Sequence, residues 1–251
     1  MANPVLSEKV FRGANATSNS QTMTINGTLT KTLLLVLMVA VAAAYSWKVF
    51  YTSVDPMGST FTTLMWGGLI VAFILAIIIS FKPNLAQYLS PVYAVGEGLA
   101  IGGISAMVNL QFAEKAPNIV INAVALTLIT AIIMLVIYRF RIIKVNAKFH
   151  RIIYVALISI LVFYITTMLL GFFGVDVRAL TNNSPLAIGI NVVIAGVAAF
   201  SLLTDYDFIE KASYSGAPKY MEWYGAFGLV VTLVWLYLEI LKLLSRVNSR
   251  N

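Results

Sequence analysis

The chain has 251 residues, of which about 60% are apolar and only 11% charged. That is less than half of the roughly 25% charge of an ordinary soluble domain. Seventeen Lys and Arg against ten Asp and Glu give a net charge of +7. In a membrane protein such an excess marks the loops held on the cytoplasmic side, so it is read here as topology and not as a nucleic-acid surface. No Cys is present, which excludes disulfides and thiolate chemistry, and a single His, His150, excludes His-rich metal centres and Ser-His-Asp hydrolysis.

A run of about 20 apolar residues crosses the roughly 30 Å hydrocarbon core of a bilayer as a helix. Seven such runs follow one another: Thr32–Thr52, Phe61–Phe81, Val92–Gln111, Ile119–Tyr138, Ile152–Val175, Leu186–Tyr206 and Trp223–Leu244. Pro and Asn punctuate the breaks, at Asp55-Pro56-Met57-Gly58, Lys82-Pro83-Asn84, Glu114-Lys115-Ala116-Pro117-Asn118 and Asn182-Asn183-Ser184-Pro185. The runs are too long for barrel strands and do not alternate. The expected fold is an all-α, seven-transmembrane-helix bundle over 32–247, preceded by a polar arm over 1–31.

The stretch 139–151, RFRIIKVNAKFHR, has five Lys or Arg and no acid. Lys9, Arg12 and Lys31 in the arm, Lys82, and Lys211 with Lys219 fall on the same side of a seven-span chain. The positive-inside rule puts that side, and the N-terminus, in the cytoplasm. The first apolar run is too long for a signal peptide. Trp47, Tyr51, Trp66, Tyr88, Trp223 and Tyr224 sit near span ends as interfacial anchors.

A charge inside a bilayer needs a partner, water or a path to the surface. Lys48 is near a span end and can snorkel. Glu97 lies in PVYAVGEGLAIGGISAMV, beside the small residues Ala94, Gly98, Gly102 and Ala106, which recur four apart and allow a close helix contact. Glu97, Gly98 and Gly102 are therefore assigned to a helix interface or pore, the plain alternative for Glu97 being one interfacial hydrogen bond. The sixth run ends SLLTDYDFIEK, where Asp205 and Asp207 are about 200° apart on a helix. One is expected to face the bundle and the other the cytoplasm. They meet the negative end of a helix dipole, which makes their protonation a candidate switch. In the seventh run Gly225, Gly228, Thr232, Trp235, Glu239 and Lys242 share a face, and Lys242 can pair with Glu239 three residues before it.

The stretch PVYAVGEGLAIGGIS, the LTDYD closing the sixth span and MEWYGAFGLVVTLVWLYLEILKLLS resemble the Bax inhibitor family of membrane proteins, particularly its bacterial branch, over about residues 1–247. The resemblance implies a seven-helix bundle of the bacterial cytoplasmic membrane and a pH-sensitive calcium leak gated by an acidic pair from the sixth and seventh helices. Its sixth-helix acid matches Asp207, with Asp205 as the alternative. The seventh-helix partner matches Glu239 if LYLEI is aligned, or Thr232 if the end of the helix is aligned. Asp207 and Glu239 are the candidate Ca²⁺ contacts, and Asp207, Asp205, Glu239 and Thr232 the candidate pH-sensing or gating residues. A cation reported in the second helix of some relatives has no counterpart, because Phe61–Phe81 has no Lys or Arg.

The expected function is passive, proton-modulated permeation of cations, Ca²⁺ foremost, with no resident cofactor. The partners are the lipid bilayer, cations and protons, and not nucleic acid. The competing readings are a non-conducting regulator that binds membrane proteins through the arm and the 139–151 loop, and a proton-coupled transporter. No HExxH, P-loop or dinucleotide fingerprint supports an enzyme.

Overall fold

In hydrocarbon every backbone N–H and C=O must pair within its own segment, so an apolar run closes into a helix. The computed structural model describes residues 22–53, 58–175, 177 and 183–249. It contains seven long helices: α1 Ile25–Thr52, α2 Ser59–Phe81, α3 Ala86–Gln111, α4 Ile119–Arg139, α5 Ala147–Phe172, α6 Pro185–Tyr214 and α7 Met221–Asn248. Each is long and apolar enough to cross a membrane. The protein is thus an all-α, seven-span membrane protein.

Local capping moves several helix ends away from the apolar runs. The α1 helix begins at Ile25, seven residues before Thr32, because Thr24 is its N-cap and accepts from the Gly27 N–H at 3.0 Å. Ile25–Lys31, expected in the arm, are therefore helical; the arm's Lys9 and Arg12 lie outside the described residues. Asn146 caps α5 through the Phe149 N–H, 2.9 Å, and so draws Lys148, His150 and Arg151 of the basic stretch into the first turns of that helix. The chain reverses before it at Arg141, which adopts a left-handed φ of 54°. The α3 helix starts at Ala86 instead of Val92 and continues through Pro91. A membrane helix tolerates such an internal proline.

Contacts divide the chain into two units. The first comprises α1, α2 and α3 with Phe208–Val231. Here α3 packs on both α1 and α2. Its glycines allow this: a methyl on Gly98 would strike the Val39 carbonyl and one on Gly102 the Ala43 carbonyl, both on α1. Gly96 and Gly103 do the same toward α2, where a methyl on Gly96 would meet the Gly68 carbonyl at 3.0 Å and one on Gly103 the Met65 side chain at 2.8 Å. The expected small-residue face is thus the α1 contact, and a second glycine pair serves α2. Phe50, Phe61 and Ala106 form a buried cluster within this unit.

The start of the described chain is tied to the α6–α7 turn. Met23 donates its N–H to the Ala217 carbonyl at 2.7 Å, and Ser213 Oγ donates to the Met23 carbonyl at 3.2 Å. Beside them Glu222 of α7 is fully buried. Its carboxylate accepts from the Thr24 N–H at 2.9 Å and the Thr24 hydroxyl at 2.8 Å, and it pairs with Lys31 and, at 2.8 Å, with Lys219. Glycine at 27 leaves the room, since a Cβ there would run into that carboxylate.

The second unit comprises α4, α5, α6 up to Asp207 and α7 from Thr232. Tyr206 donates to the Ala131 carbonyl of α4 at 3.3 Å, and Phe149 of α5 meets Phe200 of α6 edge-on. Arg246 donates to the Ala187 carbonyl at 2.8 Å. Large apolar side chains such as Ile132, Leu161 and Phe172 are exposed, as suits helices whose outer faces meet lipid tails.

Candidate functional site

The polar groups of the second unit converge on α6. Asp205 and Asp207 were expected to part, one toward the bundle and one toward the cytoplasm; both are buried, at 0% and 3% exposure. The reason is that α6 has a neighbour on each side at this level. On one side Thr232 of α7 donates its hydroxyl to Asp205 Oδ2 at 2.6 Å. On the other, His150 of α5 places its Nε2 2.8 Å from Asp207 Oδ2. Three helices are thereby tied through two carboxyl groups two residues apart.

Thr232 is a partner of Asp205, so a hydroxyl faces this acid from α7. Glu239 lies seven residues further along α7, about 10 Å at ~1.5 Å per residue. It is buried and held by three donors: Asn191 Nδ2 at 2.8 Å, Tyr164 Oη at 2.9 Å and Lys242 Nζ at 2.9 Å. Lys242 also reaches Tyr164 Oη at 3.0 Å. The Glu239–Lys242 pair expected from their spacing is therefore formed, and it is enlarged by donors from α5 and α6.

The two candidate Ca²⁺ contacts, Asp207 and Glu239, are not brought together: each has its own set of partners. Among the described residues no three His, Asp or Glu side chains converge in a metal-binding group. Glu97 stands in the first unit, eleven residues after the start of α3 and fourteen before its end, and is half-buried. No hydrogen bond joins it to another described residue. Gly98 and Gly102 are the close α1 contact described above.

Sequence reasoning missed four members of these clusters. His150 belongs to the basic 139–151 stretch, and Asn146 four residues before it is a helix N-cap signal that places it one turn inside α5. Tyr164 and Asn191 left no signal beyond being polar in an apolar run. For Glu222 the local signal was Lys219 three residues before it, but its partners Thr24 and Lys31 lie far away in the chain.

The profile described as Bax inhibitor 1 like matches residues 3–249. The chain belongs to the Bax inhibitor 1-like family. No curated protein and no solved structure matches it. Family membership covers α1 through α7, including both acids of α6, the threonine of α7 and the glycine-rich α3.

Proposed function

We propose that this Bax inhibitor 1-like protein is a pH-sensitive passive leak for cations, Ca²⁺ foremost, in the bacterial cytoplasmic membrane, with its N-terminus on the cytoplasmic side and no catalytic activity. The observation that carries the reading is the paired arrangement on α6: Asp205 bonded to Thr232 and Asp207 bonded to His150. Ionisable groups buried in a membrane helix are costly and rare, and they mark ion and proton pathways. Carboxylate oxygens are hard ligands suited to Ca²⁺.

The His150–Asp207 contact ties α5 to α6 and the Asp205–Thr232 contact ties α6 to α7, so a change of protonation in this cluster alters how the three helices are held and thereby modulates the leak. Glu239, already neutralised by Lys242, serves as a second polar step along α7.

Ca²⁺ flux into proteoliposomes carrying an internal indicator tests this. Flux is expected to change between about pH 6 and about pH 8. Flux equal to that of protein-free vesicles across the range overturns conduction. Asp207→Asn is expected to flatten the pH response, and an unchanged profile would remove Asp207 from the gate.

A further inference from the structure

The α3 helix is held on two sides. Gly98 and Gly102 seat against α1, and Gly96 and Gly103 against α2. At 3.6 residues per turn, these positions lie about 100° or more to either side of position 97. Glu97 therefore occupies a third side, which it shares with Ser90, Tyr93 and Ile101. That side is not open: Ser90, Tyr93 and Ile101 are buried, Glu97 is half-buried, and the Tyr93 ring stands edge-on to Phe227 at 4.8 Å.

Two of its polar groups lack hydrogen-bond partners among the described residues. Ser90 Oγ is fully buried and makes no hydrogen bond. Elsewhere Ser80, Ser105 and Thr127 return their hydroxyls to the carbonyl four residues before them. Glu97 has neither a hydrogen bond nor an ion pair with any described residue. The surrounding helices offer no counter-charge in their sequences: α1 has none between Lys31 and Lys48, and α2 has none at all. In Met221–Val231 the one charged residue, Glu222, is taken up by Lys31, Lys219 and Thr24. Phe208–Tyr214 carries Glu210 and Lys211, neither of them buried. Among the described residues of α3, Tyr93 places an ionisable phenol one turn before Glu97 on the same side.

An uncompensated carboxylate at mid-helix and an orphaned buried hydroxyl on the same side are each unfavourable alone. A proton on Glu97 removes the first cost. Ser90 and Glu97 are seven residues apart, about 10 Å at ~1.5 Å per residue, so more than one water spans them, with Tyr93 between; each water needs two to four polar partners, which these groups and the neighbouring water provide. We infer that this side of α3 is a hydrated proton-binding site, in which Glu97 carries an exchangeable proton and water links it to Tyr93 and Ser90. The proton passes from a water oxygen to a Glu97 carboxylate oxygen and returns by the same route, with no other bond changed. The site goes beyond the cation leak, because none of its groups belongs to the α6 and α7 acids.

Infrared spectroscopy of the wild-type protein, Glu97→Gln and Glu97→Asp in lipid vesicles tests it. At neutral pH the wild type is expected to show a protonated-carboxyl carbonyl band that is absent in Glu97→Gln and displaced in Glu97→Asp. In D₂O that band is expected to shift within minutes. A carboxyl region identical in all three proteins overturns the proton site. A band lost in Glu97→Gln but unmoved after hours in D₂O overturns the water link. The aspartate variant keeps the test valid should the glutamine variant fail to fold.

Discussion

A hydroxyl opposite a carboxyl group behaves differently from a second carboxyl group in the same place. Two acids in contact share a proton, because both cannot be ionised at once, and their contact breaks as the second proton leaves. Thr232 can donate to Asp205 whether or not that acid is ionised. The Asp207–His150 contact differs in kind, because it joins an acid to a base. Replacing His150 with Gln keeps a side chain able to hydrogen-bond Asp207 but removes the base. The expected result is a Ca²⁺ flux whose change between about pH 6 and about pH 8 differs from that of the wild type. A His150→Gln profile that follows the wild type would place the titrating group elsewhere.

At the scale of helices, two close approaches define the first unit. The α1–α3 contact rests on Gly98, where an added methyl meets the Val39 carbonyl and the Ala42 side chain, at 2.7 Å from the Ala42 Cβ. Backbone cannot yield as a flexible side chain does, so Gly98→Ala is expected to cost about 1–3 kcal/mol, the usual range for overpacking. A lowered unfolding midpoint in detergent would register it, whereas Gly189→Ala, with nothing within 4 Å of its Cβ, should leave the midpoint unchanged. The second approach is the Glu222 staple between the start of α1 and the start of α7. Glu222→Gln preserves shape but removes the charge that Lys31 and Lys219 share. Lys219 is 44% exposed and can return to water, so the loss is about 1–3 kcal/mol, the scale of a charged hydrogen bond, and not that of a sealed ion pair. Hydrogen exchange should show it as faster exchange at the Met23 and Thr24 amides, with α4 unaffected. This staple also shows where sequence reasoning stops. Apolar length reveals that α1 and α7 exist, and four-residue spacing reveals the Gly98 and Gly102 face. The pairing of Lys31 with Glu222 joins positions 191 residues apart and has no local periodicity to betray it.

For the whole molecule, charge and hydropathy were enough to count the spans, because the bilayer imposes both length and polarity on every crossing. They could not say which polar residues meet, since that depends on helix rotation and tilt: the two acids of α6, read as diverging, are both buried because α5 and α7 flank that helix. What charge does carry across the whole chain is orientation. Cations gather in the 139–151 stretch, in the α6–α7 turn with Lys219 and around Lys82, while the α3–α4 loop has Lys115 beside Glu114. By the positive-inside rule we propose that the first three segments face the cytoplasm and the α3–α4 loop faces outward. The native chain has no Cys, so a single introduced thiol is an unambiguous reporter. Lys115→Cys lies in the α3–α4 loop, and Ser215→Cys in the α6–α7 turn. A membrane-impermeant maleimide applied to intact cells is expected to label Lys115→Cys and to leave Ser215→Cys unlabelled until the membrane is opened. The reverse pattern would invert the protein in the membrane, and it would carry the His150–Asp207 contact to the outer surface, where external and not cytoplasmic pH would set the leak.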